Sequence, residues 1–272
     1  MLDVSVIVPV RNAEAFITEC LQSIARAEPR ELIVVDGCSR DSTVEKAQQF
    51  ATAILSDDGQ GVAAARLIGA RHATSDTLAL MDVDIVLPDG AFASLMDEFQ
   101  SGNYTALQAG LHSTSGPGYW GQALVFHHNN GRSKNWPGVM ATLFKKERLL
   151  HYGFDEWFAS GEDIELRWRL RKGGEKLGVS RAVTVTHRFD DTLACALGQF
   201  KADGEGLARM VIKYRLPALK LMGIPLAGMV RGLVLSLKQR QPKWIPYFLL
   251  YGIMNYVAMI PTLITERRGP AH

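Results

Sequence analysis

Residues 77–84 read Thr-Leu-Ala-Leu-Met-Asp-Val-Asp, an apolar run that leads directly into two carboxylates. A run without polar alternation is typical of a strand buried on both faces, as in a parallel sheet. Similar runs precede it at residues 4–10, 32–35 and 53–55, and helical patterns separate them at residues 13–27, 42–51 and 62–73. The alternation predicts an α/β fold, with an open, mostly parallel sheet and helices on both faces.

After Pro88 the alternation is looser. We expect helices at 89–101 and 161–172 and a strand at 182–186, whereas residues 104–145 mix short strands with Gly, Asn and Pro. The pair His127-His128 falls in this mixed stretch. Because neighbouring residues of a strand point to opposite faces, we do not expect it to bind a metal.

Composition and charge exclude several classes of protein. The chain has 272 residues, of which 47% are hydrophobic and 21% charged, so it is not a disordered chain. Its 3 cysteines form no disulfide framework and favour a reducing compartment, and the N-terminus lacks the pattern of a signal peptide. Residues 1–200 carry a net charge of −6 and residues 201–272 one of +8. This asymmetry favours a head near an anionic membrane over a nucleic-acid binder.

The C-terminal part, residues 193–272, reads as helical and increasingly apolar. Residues 244–264 contain no charged side chain, which is close to the length that spans a bilayer, but Pro246, Asn255 and Pro261 interrupt the run. We expect a domain boundary near residue 192, followed by helices that lie on or dip into the cytoplasmic leaflet. The alternatives for this segment are a dimer interface or a helical cap on the core.

Asp82 and Asp84 follow the fourth apolar strand, where ligands bind in open α/β sheets. Carboxylate oxygens suit Mg²⁺ or Mn²⁺, which bind through one or two carboxylates together with substrate phosphates. Such an ion would neutralise charge on a departing diphosphate. The alternative is an ordinary solvated turn, because Asp is common in loops.

Two further sites follow the second and third strands. Asp36 could accept hydrogen bonds from a base or ribose, and Gly37 would allow close approach of the backbone. The loop Gly59-Gln60-Gly61 leads into a helix of small residues, from which Arg66 could reach a phosphate. The alternative for residues 36–42 is a turn that caps a helix.

Acidic residues and a histidine mark the later part of the chain. Glu162 and Asp163 open a helix, where acidic side chains are expected for electrostatic reasons alone. In the functional interpretation Asp163 is a general base for an acceptor hydroxyl. His187 follows the predicted strand 182–186 and could be a further metal ligand, although an isolated His is more often structural.

Together these segments resemble the family 2 glycosyltransferases with the GT-A fold. The resemblance covers about residues 4–190 and rests on five segments in the family's order: Val6–Asn12, Val34–Thr43, Gly61–Gly69, Met81–Asp84 and Gly153–Arg169. It implies that Pro9 and Asn12 line the nucleotide pocket, that Asp36 binds the uracil or other base, and that Arg66 lies near the nucleotide. Asp82 would contact the ribose or metal.

The resemblance also assigns the remaining roles. Asp84 and His187 would bind Mn²⁺ or Mg²⁺, and Asp163, supported by Glu162, would be the catalytic base. The implied reaction is an inverting transfer from a nucleoside-diphosphate sugar, with UDP as the expected nucleotide, to a glycan or lipid-linked acceptor in surface polysaccharide synthesis. Acceptor contacts would come from the mixed stretch, with Trp120, Asn135 and Trp136 as candidates.

The chain departs from the family pattern at two places. Leu67 stands where members commonly have Asn, and residues 199–201 do not match the Gln-x-x-Arg-Trp motif of processive synthases, so we expect a non-processive enzyme. A nucleotidyltransferase on a similar fold and a non-catalytic binding protein are the competing interpretations. The missing Gly-rich N-terminal signature argues against the first, and the intact acidic positions argue against the second.

Overall fold

The computed structural model describes residues 1–131 and 137–266, so Asn135, Trp136 and the C-terminal Arg267 and Arg268 lie outside the described residues. The chain divides into two compact units. The first comprises Met1–Ser113, Gly131–Glu156 and Leu166–Arg188, and the second comprises Thr114–Asn130, Trp157–Glu165 and Phe189–His272. The second unit therefore joins the C-terminal segment to two stretches from earlier in the chain.

The described residues form eight strands and ten α-helices. The strands are β1 (Leu2–Val10), β2 (Pro29–Asp36), β3 (Ala53–Ser56), β4 (Thr77–Leu80), β5 (Ile85–Val86), β6 (Ala106–Ser115), β7 (Thr142–Lys145) and β8 (Leu177–Phe189). The helices are α1 (Ile17–Ala25), α2 (Thr43–Ala47), α3 (Val62–His72), α4 (Ala91–Ser101), α5 (Tyr119–Asn130), α6 (Lys146–Tyr152), α7 (Glu162–Lys172), α8 (Leu193–Tyr214), α9 (Ala218–Lys238) and α10 (Ile245–Thr265).

The first unit has an apolar core on each face of its sheet. On β1, Val6 and Val8 pack in one cluster with Leu21 of α1, whereas Ile7 packs in the other with Ala65 of α3. All these side chains are almost completely buried. Burial on both faces explains why the strand has no polar alternation.

The sheet is half parallel and half antiparallel. Its strand order is β3-β2-β1-β4-β7-β6-β8-β5, and the first four strands run parallel. Strand β7 pairs antiparallel with β4 and β6, and β5 pairs antiparallel with β8. The predicted α/β class is confirmed, and the parallel strands are those that the apolar runs of the sequence predicted.

The link between β4 and β5 shows that the sheet curls. In a flat sheet these strands would lie four spacings apart, or about 19 Å. Only residues 81–84 join them, and the link contains a turn in which the Ile85 N–H donates to the Asp82 carbonyl at 3.1 Å. Five Cα steps span at most about 18 Å even when extended, so the far edge must bend back toward β4. Asp82 and Asp84 lie on this link.

The expectation of short strands around residue 125 is wrong, because residues 119–130 form α5. His127 and His128 therefore lie on a helix. Just before the helix, the Gly118 N–H donates a hydrogen bond to the Asp191 carboxylate at 2.9 Å. Within the helix, Leu124 packs in an apolar cluster of the second unit. Contacts with residues more than 60 positions away thus determine the secondary structure of a segment whose flanking Gly and Asn suggested turns.

The second unit is built mainly from α8, α9 and α10. Thr192 caps α8 by accepting a hydrogen bond from the Cys195 N–H at 3.2 Å. Helix α10 packs closely on α8, since a Cβ at Gly204 would lie 2.2 Å from the Asn255 carbonyl oxygen. Two stretches, Lys220–Lys238 and Pro242–Thr265, are long and apolar enough to cross a membrane by length and composition. The apolar C-terminal helices that the sequence predicted are therefore present.

Candidate active site

The loops that follow β1 and β2 are held together by polar contacts. The Asn12 N–H donates to Ser39 Oγ at 2.9 Å, and Asn12 Oδ1 accepts from the Arg40 N–H at 2.9 Å. The Asp36 carboxylate accepts the Ser39 N–H at 3.1 and 3.2 Å. Asn12 has a φ of 48°, a left-handed conformation that Asn adopts more readily than most residues. These side chains thus fix the backbone at the ends of two parallel strands.

A pocket of about 210 Å³ opens beside these loops. Pro9, Gly37 and Asp57 are among its lining residues, whereas Asn12 and Asp36 are not. Sites for whole drug-sized ligands usually have about 300–1,000 Å³, so this pocket has room for part of a nucleotide. Pro9 lines this pocket, whereas Asn12 and Asp36 shape the neighbouring loops.

Asp57 organises the glycine-rich edge of this pocket. Its carboxylate accepts hydrogen bonds from the Gly59 N–H at 2.8 Å and the Gly61 N–H at 3.0 Å, and the residue is 2% exposed. Gly61 has a φ of 98°, which a side chain would oppose. Sequence reasoning missed Asp57, although an Asp two residues before a Gly-x-Gly loop is a recognisable turn signal.

Arg66 is buried and pairs with Asp82. Helix α3 packs tightly on β1, because a Cβ at Gly69 would lie 2.5 Å from Ile7 Cγ2, and this close approach carries Arg66 into the core. Arg66 Nη2 lies 2.7 Å from Asp82 Oδ1, and the two side chains are 4% and 26% exposed. Arg66 thus holds the Asp82 carboxylate, and its expected approach to a phosphate stays a prediction.

Asp84 and His187 meet although 103 positions separate them. Strand β5 pairs antiparallel with β8 so that Ile85 lies opposite His187, and the Arg188 N–H donates to the Asp84 carbonyl at 2.9 Å. His187 Nε2 lies 3.2 Å from Asp84 Oδ2. The His187 side chain is 4% exposed and that of Asp84 is 33% exposed. The structure thus brings together the two residues that the sequence proposed as metal ligands.

The donor set at Asp84 fits a divalent cation. Asp84 Oδ1 is buried, and no described residue hydrogen-bonds to it. A carboxylate oxygen and an imidazole nitrogen are both ligands that Mn²⁺ accepts. The described part of the chain offers no group of three or more His, Cys, Asp or Glu side chains around one point. Such an ion would therefore take its other ligands from phosphate and water, as Mg²⁺ and Mn²⁺ commonly do.

Glu162 and Asp163 lie on the first turn of α7 and belong to the second unit. This turn lies against α8, since a Cβ at Gly161 would lie 2.9 Å from Gly206 Cα. The next acidic residue, Glu165, is buried and pairs with Lys213 at 3.0 Å. The turn is thus held by backbone contact and by an ion pair, and Asp163 is partly exposed between these points.

A second carboxylate near Asp163 was missed by sequence reasoning. Asp203 lies on α8, and burial, followed by the negative charge of Asp163, raises its pKa above the usual value of an Asp. More than a third of the surface of Asp203 reaches solvent, so water screens the group and limits this rise. Its signal in the sequence is the segment Asp203-Gly204-Glu205-Gly206, because two glycines inside a helix indicate close backbone contact.

Solved structures share the fold. The mannosyltransferase PcManGT from Pyrobaculum calidifontis, solved in complex with GDP-Man and Mn²⁺, matches 95% of this chain and 87% of its own at a TM-score of 0.66 and 19% identity. TarS 1–349 from S. aureus, solved with UDP-GlcNAc, matches 98% and 90% of the two chains at a TM-score of 0.57 and 18% identity. The predicted GT-A fold is thereby confirmed.

Curated relatives match by sequence over most of the chain. The succinoglycan biosynthesis protein ExoA of Rhizobium meliloti is 26% identical over 94% of this chain and 80% of its own length. The minor teichoic acid biosynthesis protein GgaB of Bacillus subtilis is 23% identical over 93% of this chain, which spans only 28% of GgaB. The model of the family described as glycosyl transferase family 2 matches residues 5–160. With this match over more than half of its length, the chain belongs to glycosyl transferase family 2.

Proposed function

We propose that this chain is an inverting, metal-dependent and non-processive glycosyltransferase that uses a UDP-linked sugar donor. The observation that carries the proposal is the contact between Asp84 and His187 beside the buried Arg66–Asp82 pair. A hard-cation site at a strand end suits a diphosphate. Complexes of TarS with UDP-GlcNAc and of PcManGT with GDP-Man and Mn²⁺ support a nucleotide sugar as donor.

The first unit supplies the residues for the donor. Pro9, Gly37 and Asp57 form the pocket for the base. Asp36 lies at the end of the neighbouring strand and positions its loop by accepting the Ser39 N–H, and Asp82 binds the ribose. Arg66 keeps the Asp82 carboxylate in one orientation, so that the ribose meets a preformed acceptor. Asp84 and His187 would hold Mn²⁺ or Mg²⁺, which supplies positive charge for the leaving diphosphate.

Asp163 is the proposed base, with Glu162 in a supporting role. Asp163 removes the proton from the acceptor hydroxyl while the hydroxyl oxygen bonds to the anomeric carbon of the donor sugar. The bond from that carbon to the diphosphate oxygen breaks in the same step, and its electron pair leaves with the diphosphate. One displacement inverts the anomeric configuration and needs no covalent intermediate with the protein.

The proposed acceptor is a lipid-linked glycan in the synthesis of a surface polysaccharide. ExoA and GgaB are named for such pathways, and two helices of this chain have the length and hydropathy of membrane segments. We place the protein at the cytoplasmic face of a membrane. There a lipid-linked acceptor and a soluble nucleotide-sugar donor can both reach it.

UDP release in the presence of acceptor extracts and Mn²⁺ tests the catalytic assignment. We expect Asp84→Asn to lower kcat/KM by about a thousandfold, because charge on the diphosphate is then less stabilised. Asp163→Asn should lower kcat by about 10²–10⁴-fold and leave UDP binding unchanged, because only the proton acceptor is lost. The product should be UDP, whereas a nucleotidyltransferase would release pyrophosphate.

The matched control is Asp97→Asn, the same chemical change at an exposed position on α4. Its activity should equal that of the wild type. Full transfer by Asp163→Asn would refute the assignment of the base. Wild-type activity of Asp84→Asn that still depends on Mn²⁺ would refute the assignment of the metal ligand, as would equal activity of the wild type in Mn²⁺ and in EDTA.

A further inference from the structure

Helices α9 and α10 each expose a narrow apolar stripe. On α9 the stripe consists of Leu226, Val230, Val234 and Leu237, which are 45–62% exposed, and on α10 it consists of Leu249, Ile253, Val257, Ile260 and Ile264, which are 42–58% exposed. The spacings are three or four residues throughout. At about 100° per residue, each stripe covers about 80° of its helix, and on α9 the 44% exposed Ile224 lies about 80° outside it. These residues account for most of the large apolar side chains that the described chain exposes.

The side of α10 opposite its stripe packs on protein. Tyr247, Tyr251, Asn255 and Met259 are buried there. Helix α9 contacts α10 at Gly228 and Gly232, where Cβ atoms would contact the rings of Tyr251 and Phe248, but most of its surface is exposed or half-buried. Each helix thus packs on protein along one side, and the stripes face solvent without a partner in the described residues. An exposed patch of this kind marks an interaction surface.

Basic residues border the stripe of α9. Lys220, Arg231 and Lys238 are exposed and separated by 11 and 7 residues, which places them on one line of the helix, about 40–60° beyond the stripe. Arg231 also donates to the Asn130 carbonyl. The turn after α9 adds Arg240 and Lys243. Residues 206–265 contain 8 Lys and Arg and no Asp or Glu. Two of these eight, Arg209 and Lys213, pair with Glu266 and Glu165. Apolar side chains beside the basic line of α9 and the basic turn suit the headgroup region of an anionic leaflet.

The packing of α10 on α8 argues against a membrane-spanning arrangement. Phe200 of α8 contacts Tyr247 and Tyr251 at ring distances of 5.2 and 5.4 Å, Gly204 lies against Asn255, and Arg209 pairs with Glu266 at 3.1 Å. Helix α10 thus follows α8 along most of its length. If α10 crossed a bilayer, it would carry the charged side chains of α8 into hydrocarbon, namely Lys201, Asp203 and Glu205.

We propose that α9 and α10 bind one leaflet of an anionic lipid bilayer through these two stripes, in the plane of the interface, and that neither helix crosses the bilayer. The inference rests on the proposed membrane association and specifies its geometry. The occupant of the surface is the lipid, with acyl chains against the stripes and phosphates against Lys220, Lys238 and the basic turn.

Vesicle flotation of the full-length protein tests the surface. We expect binding to vesicles that contain phosphatidylglycerol and weak binding to phosphatidylcholine alone. Val230→Asn with Val257→Asn should weaken binding to both by at least about tenfold, because each change removes buried apolar area. Leu193→Asn, at an equally exposed apolar residue outside the stripes, should have no effect. Lys220→Gln with Lys238→Gln should reduce the preference for the anionic lipid by about fivefold per lysine.

Labelling of a cysteine at position 240 tests the in-plane geometry. Arg240→Cys is made in a Cys38→Ser, Cys195→Ser background, and the protein is added outside sealed anionic vesicles with an impermeant maleimide. An in-plane pair leaves position 240 reactive in the bound protein, before the vesicles are permeabilised. Protection that ends only on permeabilisation would show that the helices cross, which overturns this inference and leaves membrane association intact.

Two further outcomes would overturn the inference. Absence of binding to any vesicle would remove both the membrane association and its geometry, whereas UDP release with a soluble acceptor would still decide the catalytic proposal. Self-association in solution that the stripe substitutions abolish, with vesicle binding unchanged, would show that a second copy of the chain covers this surface.

Discussion

His127 shows how packing changes the chemistry of one side chain. Its Nδ1 lies 3.0 Å from the Tyr247 hydroxyl, and the rings of Tyr251, Phe248 and Tyr247 lie 4.9–5.7 Å away. Burial, and after it the positive charge of Arg231, lowers the pKa of His127 to about 4. The folded protein therefore keeps this imidazole neutral over a pH range in which an exposed histidine takes up a proton.

This pKa predicts a pH-dependent stability. Between about pH 6.5 and pH 4 the unfolded chain binds a proton at His127 that the folded chain does not bind, so the free energy of unfolding falls as the pH is lowered through this window. In His127→Asn this contribution should disappear, and the slope of stability against pH should be smaller. Urea unfolding at several pH values measures the slope, with His112→Asn at an exposed position as control. Equal slopes in all three proteins would contradict the prediction.

Single residues of the candidate site were predictable to different degrees. Asp36, Asp82 and Asp84 could be proposed because each follows an apolar strand, and strand ends of parallel sheets meet at one edge. The partner of each carboxylate could not be proposed in this way. The pairing of Arg66 with Asp82 depends on how deeply α3 packs on the sheet, which a single sequence does not specify.

At the scale of secondary-structure elements, two glycines of α8 differ in how closely other parts of the protein pack against them. A Cβ at Gly204 would lie 2.2 Å from the Asn255 carbonyl oxygen of α10, whereas a Cβ at Gly198 would meet nothing within 4 Å. Backbone atoms cannot move aside as a flexible side chain can. The two positions therefore differ in context although they lie on the same helix.

We expect Gly204→Ala to destabilise the protein by about 1–3 kcal/mol through overpacking. Gly198→Ala should be neutral or stabilise it by up to about 1 kcal/mol, because Ala favours a helix more than Gly does. Chemical denaturation of the two variants measures both effects. If Gly204→Ala were as stable as Gly198→Ala, α8 and α10 would not be in backbone contact.

The elements themselves were predicted best where burial is complete. The apolar runs predicted β1 to β4 because both faces of these strands contact core, and their alternating residues enter two different clusters. Helix α5 was missed because its N-terminus is stabilised by Asp191, which is distant in sequence. Strand β5 has only two residues and is formed by pairing with β8, so no local sequence pattern predicted it.

At the scale of the whole molecule, donor binding should protect the backbone amides of particular segments from hydrogen exchange. We expect hydrogen exchange to slow on addition of UDP and Mn²⁺ in segments 9–12, 36–43 and 57–66, because the proposed pocket and its loops belong to them. Segment 82–86 should respond as well. Uridine without a diphosphate should protect the pocket and Asp82 but not residues 84–86. Protection limited to residues 193–266 would contradict the placement of the donor in the first unit.

The division into units went beyond what the sequence predicted. The composition of the chain changes once, near residue 193, and that change suggested one boundary. The second unit also takes in residues 114–130 and 157–165, which carry no shift in composition. Which segments join a unit is decided by contacts such as that between Gly161 and Gly206, and neither residue marks a boundary by itself.

The short link between β4 and β5 has a consequence for insertions and deletions. One residue added between Val83 and Asp84 would shift β5 by one position against β8, and the fully buried Ile85 would then point to the opposite face. One residue removed would break the turn that closes the curl of the sheet. We therefore expect the length of this segment to be fixed even where its side chains vary. Inserting or deleting one residue here should prevent correct folding, whatever its effect on catalysis.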